Sequence, residues 1–166
     1  MPVILVKPTD EDDVDYQSDL DLYNSRIGSV RKIVSPDITS KISEDNLLES
    51  DIADPYYLEQ AELAVLRDTG IKRSEVDTAS DNFETLVRLV QKKLAIMVIP
   101  QVAQTVRESI IGNTWQYQQI DWEKRIEKLN AEYSTEVLDI NPGFEPSGIY
   151  PVLILSTDTY HTTKGN

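Results

Sequence analysis

Apolar and polar positions divide the chain into a helical middle and two flanks of different character. In ADPYYLEQAELAVLRDTG, residues 53–70, Leu58, Ala61 and Val65 fall on one helical face and Leu66 widens it. Asp54 is placed to accept hydrogen bonds from the free first-turn amides, Pro55 suits a first position that needs no amide partner, and Gly70 suits a left-handed stop. The spacing predicts a helix from Pro55 to about Thr69.

A second helix is predicted from SDNFETL, residues 80–86, where Asp81 followed by Glu84 resembles a capping box. Phe83, Leu86, Val87, Val90 and Leu94 repeat at helical spacing, with Glu84 and Arg88 on the polar side. LAIMVI, residues 94–99, is apolar on every side, so this helix must be covered all round, in the centre of a bundle or between subunits. Val102, Val106 and Ile110 resume a four-residue spacing beyond Pro100, which is expected to kink the helix or to open a new one.

The rhythm then changes. Gly112 and Asn113 suit a helix stop, and in TWQYQ, residues 114–118, Trp115 and Tyr117 alternate with Thr114, Gln116 and Gln118, the period of a strand. Asp121 reads as the N-cap of a further helix carrying Trp122, Ile126, Leu129, Tyr133 and Val137 on one face. A strand this short, with no hairpin partner beside it, leaves ladder groups to be paired by another strand, of this chain or of another.

The flanks read as extended. PVILVKP, residues 2–8, is a β-branched run closed by proline at both ends, an edge-strand pattern. From Thr9 to Asp54 the apolar residues Val14, Tyr16, Leu20, Leu22, Ile27, Val30 and Ile33 show no sustained helical period, with room for short elements around 26–34 and 44–49. NPGFEPSG, residues 141–148, is dense in turn formers, and IYPVLILS, residues 149–156, is a second strand candidate containing Val152 and Ile154. The expected fold is therefore mainly α. It is a small helical bundle over residues 51–140 with a short inserted strand or hairpin-like loop, an acidic extended N-terminal arm over 1–50 and an extended C-terminal arm over 141–166.

Charge narrows the function. The formal net charge is −13, and residues 1–60 alone carry 14 acids against 5 bases. Such a balance argues against a dedicated nucleic-acid reader, which gains affinity by placing cations on phosphates. An acidic wall would instead keep passing DNA from sticking. No apolar run approaches the length of a membrane span, and MPVILVKP lacks the basic start and long apolar core of a signal peptide, so synthesis in a cytoplasm is expected.

Catalytic chemistry is hard to assemble from these residues. There is no cysteine, and His161 is the single histidine, in the polar stretch TDTYHTTKGN, which excludes a histidine triad and disfavours a histidine metal site. TDEDDVD, residues 9–15, clusters carboxylates but lacks the ligand order and turn glycine of a calcium loop. Neither glycine-rich phosphate motif is present. Arg88, Lys92 and Lys93 form a small basic patch best read as a solvated helix face. No enzymatic activity, cofactor or metal is expected.

The order of parts resembles a family. A capped helix running to DTG, a long central helix, then ESIIGNTWQYQQIDWEKRIEKL with its glycine, short strand and closing helix are similar to the head-tail connector, or adaptor, proteins of tailed bacteriophages over about residues 51–140. The resemblance implies a virion structural subunit at the head-tail junction, in a homo-oligomeric ring, commonly twelvefold, docked beneath the portal protein and continuing the DNA channel toward a further neck or tail protein. It implies ring contacts through Ile111 to Gln118, with Ile111, Trp115, Gln116 and Tyr117 as candidate interface residues. After Asn141 it implies an arm that adds to a neighbour, for which Val152 and Ile154 are the candidates. Two other readings fit the same residues: a soluble helical protein-binding module without a viral role, using the aromatic edge, and a metal-dependent enzyme built on the acidic front segment.

Overall fold

A computed structural model of the chain describes residues 2–34, 54–108 and 121–146. Four helices make up the described fold: α1 (Tyr16–Val34), α2 (Pro55–Thr69), α3 (Phe83–Glu108) and α4 (Trp122–Ile140), with a 3-10 turn at Arg73–Glu75 between α2 and α3. The protein is mainly helical, and α3 is the axis on which α1, α2 and α4 all pack.

The caps of α2 and α4 form as the sequence predicts. The Asp54 carboxylate accepts from the Tyr56 amide at 2.8 Å, Pro55 opens α2, and Gly70 closes it with φ 73°, a left-handed conformation that a side chain would strain. Asp121 accepts from the Lys124 amide at 2.9 Å and starts α4. The entry of α3 differs. Phe83 donates to the Ser80 carbonyl, Asn82 donates to Ser80 Oγ, and Glu84 turns away from the backbone to pair with Arg26 of α1.

The apolar run on α3 is covered within the chain. Leu94, Ala95, Ile96, Val98 and Ile99 are buried, so of the two expected coverings the bundle centre is the one observed. The helix also continues through Pro100 without ending or restarting. Proline removes the amide that the carbonyl of Ile96 would use. Buried neighbours on both sides, from Val98 to Ala103, keep the helix intact across that loss.

The front of the chain departs from the expected arm. Residues 16–34 form α1, whose Tyr23, Ile27, Val30 and Val34 are buried at successive offsets of four, three and four. Residues 2–8 likewise make no strand. They bend at Val3–Leu5 and form a strap that buries Ile4 and Leu5 against the bundle. The chain after α4 folds back too: Asn141 Nδ2 donates to the Asp68 carbonyl at 3.0 Å, and Phe144 packs on the core.

Candidate functional site

The six interface candidates, Ile111, Trp115, Gln116, Tyr117, Val152 and Ile154, lie outside the described residues, as do His161 and the 44–49 stretch. What the described chain shows is the scaffold from which the aromatic insert departs and to which it returns. The insert follows Glu108 at the end of α3 and precedes Asp121 and Trp122, the latter buried as the first residue of α4. One turn later Arg125 donates from Nε to the carbonyl of Val34 at 3.1 Å, and from Nη2 to that of Ile33. Those carbonyls end α1 and have no partner within that helix, so a guanidinium from α4 caps a different helix. The end of α1 and the start of α4 are thereby fastened together at one pole of the bundle.

Two buried carboxylates on α2 organise the rest. Glu62 is fully buried, and its oxygens accept from the strap amides of Val3 at 2.6 Å and Ile4 at 2.9 Å. Residue 62 is four beyond Leu58 and three before Val65, squarely on the apolar face, and an acid at a core position is the signal that could have marked it.

Asp68, six residues on, gathers side chains. Tyr133 donates its hydroxyl at 2.8 Å, Arg67 donates from Nε at 3.0 Å, and Lys93 Nζ stands 3.8 Å away and 4.6 Å from the Tyr133 ring centre. Burial, then the charge of Asp68 and its hydrogen bond, push the Tyr133 phenol well above its ordinary 10.0. For Lys93 burial dominates and lowers the pKa from 10.5, opposed by Asp68 and assisted by Arg67. The phenol therefore stays protonated as a donor. Together these groups tie α2, α3 and α4.

Of the basic patch, Arg88 is exposed as expected, but Lys92 and Lys93 are not on a solvated face. Lys92 pairs with Glu136 at 2.6 Å and Glu132 at 3.4 Å on α4, and Lys93 reaches Asp68, while Arg88 donates to Thr85 Oγ1 on its own helix. In TDEDDVD the side chains of Asp10 and Asp13 accept from the amides of Asp12 and Asp15, closing local turns. Among the described residues no cluster of histidine and carboxylates is arranged to hold a metal ion, and no helix is long and apolar enough to cross a membrane.

The described geometry defines a mainly helical bundle held by buried acid-centred ties. Comparison with known proteins takes it no further: no family model, curated protein or solved structure matches the chain.

Proposed function

We propose that this protein is a structural subunit of a bacteriophage neck, a ring adaptor beneath the portal that joins head to tail and lets DNA pass. The observation that carries the reading is the Arg125 clasp. It ties the end of α1 to the first turn of α4, the helix that follows the aromatic insert in the sequence. A closed ring needs each subunit to offer two different complementary surfaces held in fixed relation. An insert bearing Trp115 and Tyr117 and a C-terminal segment bearing Val152 and Ile154 are suited to that use. The four-helix body already covers its own central helix, so the apolar run of α3 is not available as a ring contact. A net charge of −13 suits a channel through which DNA moves without sticking.

Light scattering and negative-stain imaging of the purified protein, alone and with a portal ring, test the proposal. Rings, or portal-bound complexes, are expected, with Trp115→Ala reducing assembly more than it reduces monomer stability. Persistent monomers in the presence of the portal would overturn it.

A further inference from the structure

The strap sits in a seat on the bundle that matches it at several points. The fully buried Glu62 accepts from two consecutive amides, those of Val3 and Ile4, and the core takes in the side chains of Ile4 and Leu5. A buried carboxylate without donors is costly, so the seat favours being filled. The segment that joins the strap to α1 is of another kind. Residues 9–15 are all exposed, and five of the seven are acids. Among the described residues their hydrogen bonds stay local, the amides of Asp12 and Asp13 donating back to Asp10 and that of Asp15 to Asp13. Acids so close along a turning chain repel one another within the roughly 8 Å screening length of physiological salt, and extension relieves them. Apolar surface lies open on both sides: Val6 on the strap is 53% exposed, Val14 within the turns 97% and Leu22 on α1 48%.

We infer that the strap is exchanged between copies of this chain: residues 2–8 of one copy fill the Glu62 seat of a second when the 9–15 hinge extends. Every copy offers the same two amides and the same two apolar side chains at the same spacing, so the contacts at the seat are identical whichever chain supplies the strap. Only the hinge, the surface beside it and the entropy of association differ. The first two favour exchange. Extension separates the acids, and seven extended residues span about 23–25 Å, more than twice the width of a helix. Two bodies joined in this way meet beside their hinges, where Val6, Val14 and Leu22 are covered. Repulsion between bodies of net charge −13 is screened over that separation, while repulsion inside the hinge is not. The entropy of association opposes exchange, so closed copies prevail when dilute and exchanged copies when concentrated. The inference uses neither the Trp115 insert nor the C-terminal segment on which the neck reading rests, so either can fail alone.

Complementation between two full-length variants tests it, both carrying Trp115→Ala so that association through the insert does not contribute. Leu5→Asp expels a strap and leaves its seat intact, whereas Glu62→Ala weakens a seat and leaves its strap intact. Circular dichroism checks that each keeps its helices. In native mass spectrometry each variant alone is expected to be monomeric, and the equimolar mixture to form heterodimers with a dissociation constant at or below roughly 100 µM. Hydrogen exchange at Val3 and Ile4 of the Glu62→Ala chain is expected to slow about tenfold or more when the Leu5→Asp chain is added, which association through another surface would not cause. Deleting residues 11–13 removes the slack needed to fold back, so this chain is expected to associate about tenfold more tightly than the full-length one. Glu11→Gln, Asp12→Asn and Asp13→Asn together, at full hinge length, remove the same charge and are expected to give no such gain. Absence of heterodimers, homodimers of either variant as abundant as heterodimers, unchanged exchange at Val3 and Ile4 on mixing, or a neutralised hinge that associates as tightly as the shortened one would each overturn the inference.

Discussion

Glu62 and Asp68 are both buried carboxylates on α2, less than two turns apart, yet they are stabilised by opposite kinds of partner. Among the described residues Glu62 meets only backbone amides, both from one short segment lying 58 and 59 residues earlier in the chain. Asp68 meets a phenol, a guanidinium and an ammonium carried by rigid helices or by its own. A buried acid needs donors, and the sequence does not dictate which. The difference shows in what happens when the acid is removed. Strap amides have somewhere to go, because a segment without a backbone ladder can turn its amides toward water while Ile4 and Leu5 stay packed. Tyr133 and Lys93, locked into α4 and α3, cannot.

Asp68→Ala is accordingly expected to cost the most, about 3 kcal/mol, since it strands a buried hydroxyl and a half-desolvated cation together. Urea denaturation reads this directly. Glu62→Ala is expected to cost about 2 kcal/mol, less than two fully stranded amides would, because local fraying hydrates them without unpacking Ile4 and Leu5. Hydrogen exchange at Val3 and Ile4 should then approach that of free chain while the α3 core stays protected. A larger loss for Glu62→Ala than for Asp68→Ala, with the core exchanging too, would show the strap to be integral to the fold.

Tyr133→Phe removes one hydrogen bond and leaves Asp68 its cations, so about 1 kcal/mol is expected at neutral pH. Its pH dependence is more telling. The folded phenol has a raised pKa, so its contribution is fully present below the ordinary value of 10.0 and is lost as pH rises above that value. Lys93 runs the other way: its folded pKa is lowered, so its contribution is full above 10.5 and falls away as pH drops through the folded value. Stability should climb toward pH 10 and then decline. Tyr133→Phe should blunt the decline, leaving the smaller part due to Tyr23, whose phenol is also raised by burial. Lys93→Met should remove the climb. Chemical denaturation midpoints between pH 8 and 11 distinguish these outcomes.

How much of this was legible follows from whether the cause was local. The ends of α2 and the start of α4 were readable because Asp54, Pro55, Gly70 and Asp121 act on amides and dihedrals within four residues of themselves. The faces of α3 and α4 were readable because their apolar stripes are dense. In α1 the stripe is Tyr23, Ile27, Val30 and Val34 alone, diluted by Asn24, Ser25, Gly28 and Ser29, so intrinsic propensity pointed away from a helix that packing on α3 imposes. VILV has strand composition, but a strand needs a ladder, and the carboxylate of Glu62 supplies donors' partners in its place. Lys92 and Lys93 looked solvated because Glu132, Glu136 and Asp68 are adjacent only after folding.

The smallest effect falls on the third partner of Asp68. Arg67 lies 2.9 Å from the same carboxylate through Nη2, closer than Lys93, yet its side chain is 72% exposed. Distance alone would rank it above the lysine. Solvent reverses that order, because an exposed guanidinium is already well hydrated, and holding its long side chain in one geometry costs entropy. Arg67→Ala should therefore change stability by no more than about 0.5 kcal/mol, and raising the salt concentration should erase even that. Its position next to Asp68 in sequence also means that the unfolded chain retains part of the attraction. A loss as large as that of Tyr133→Phe, measured in the same urea titration, would mean that Asp68 is held chiefly by charge, and the contrast with Glu62 would have to be redrawn as one of ions against amides.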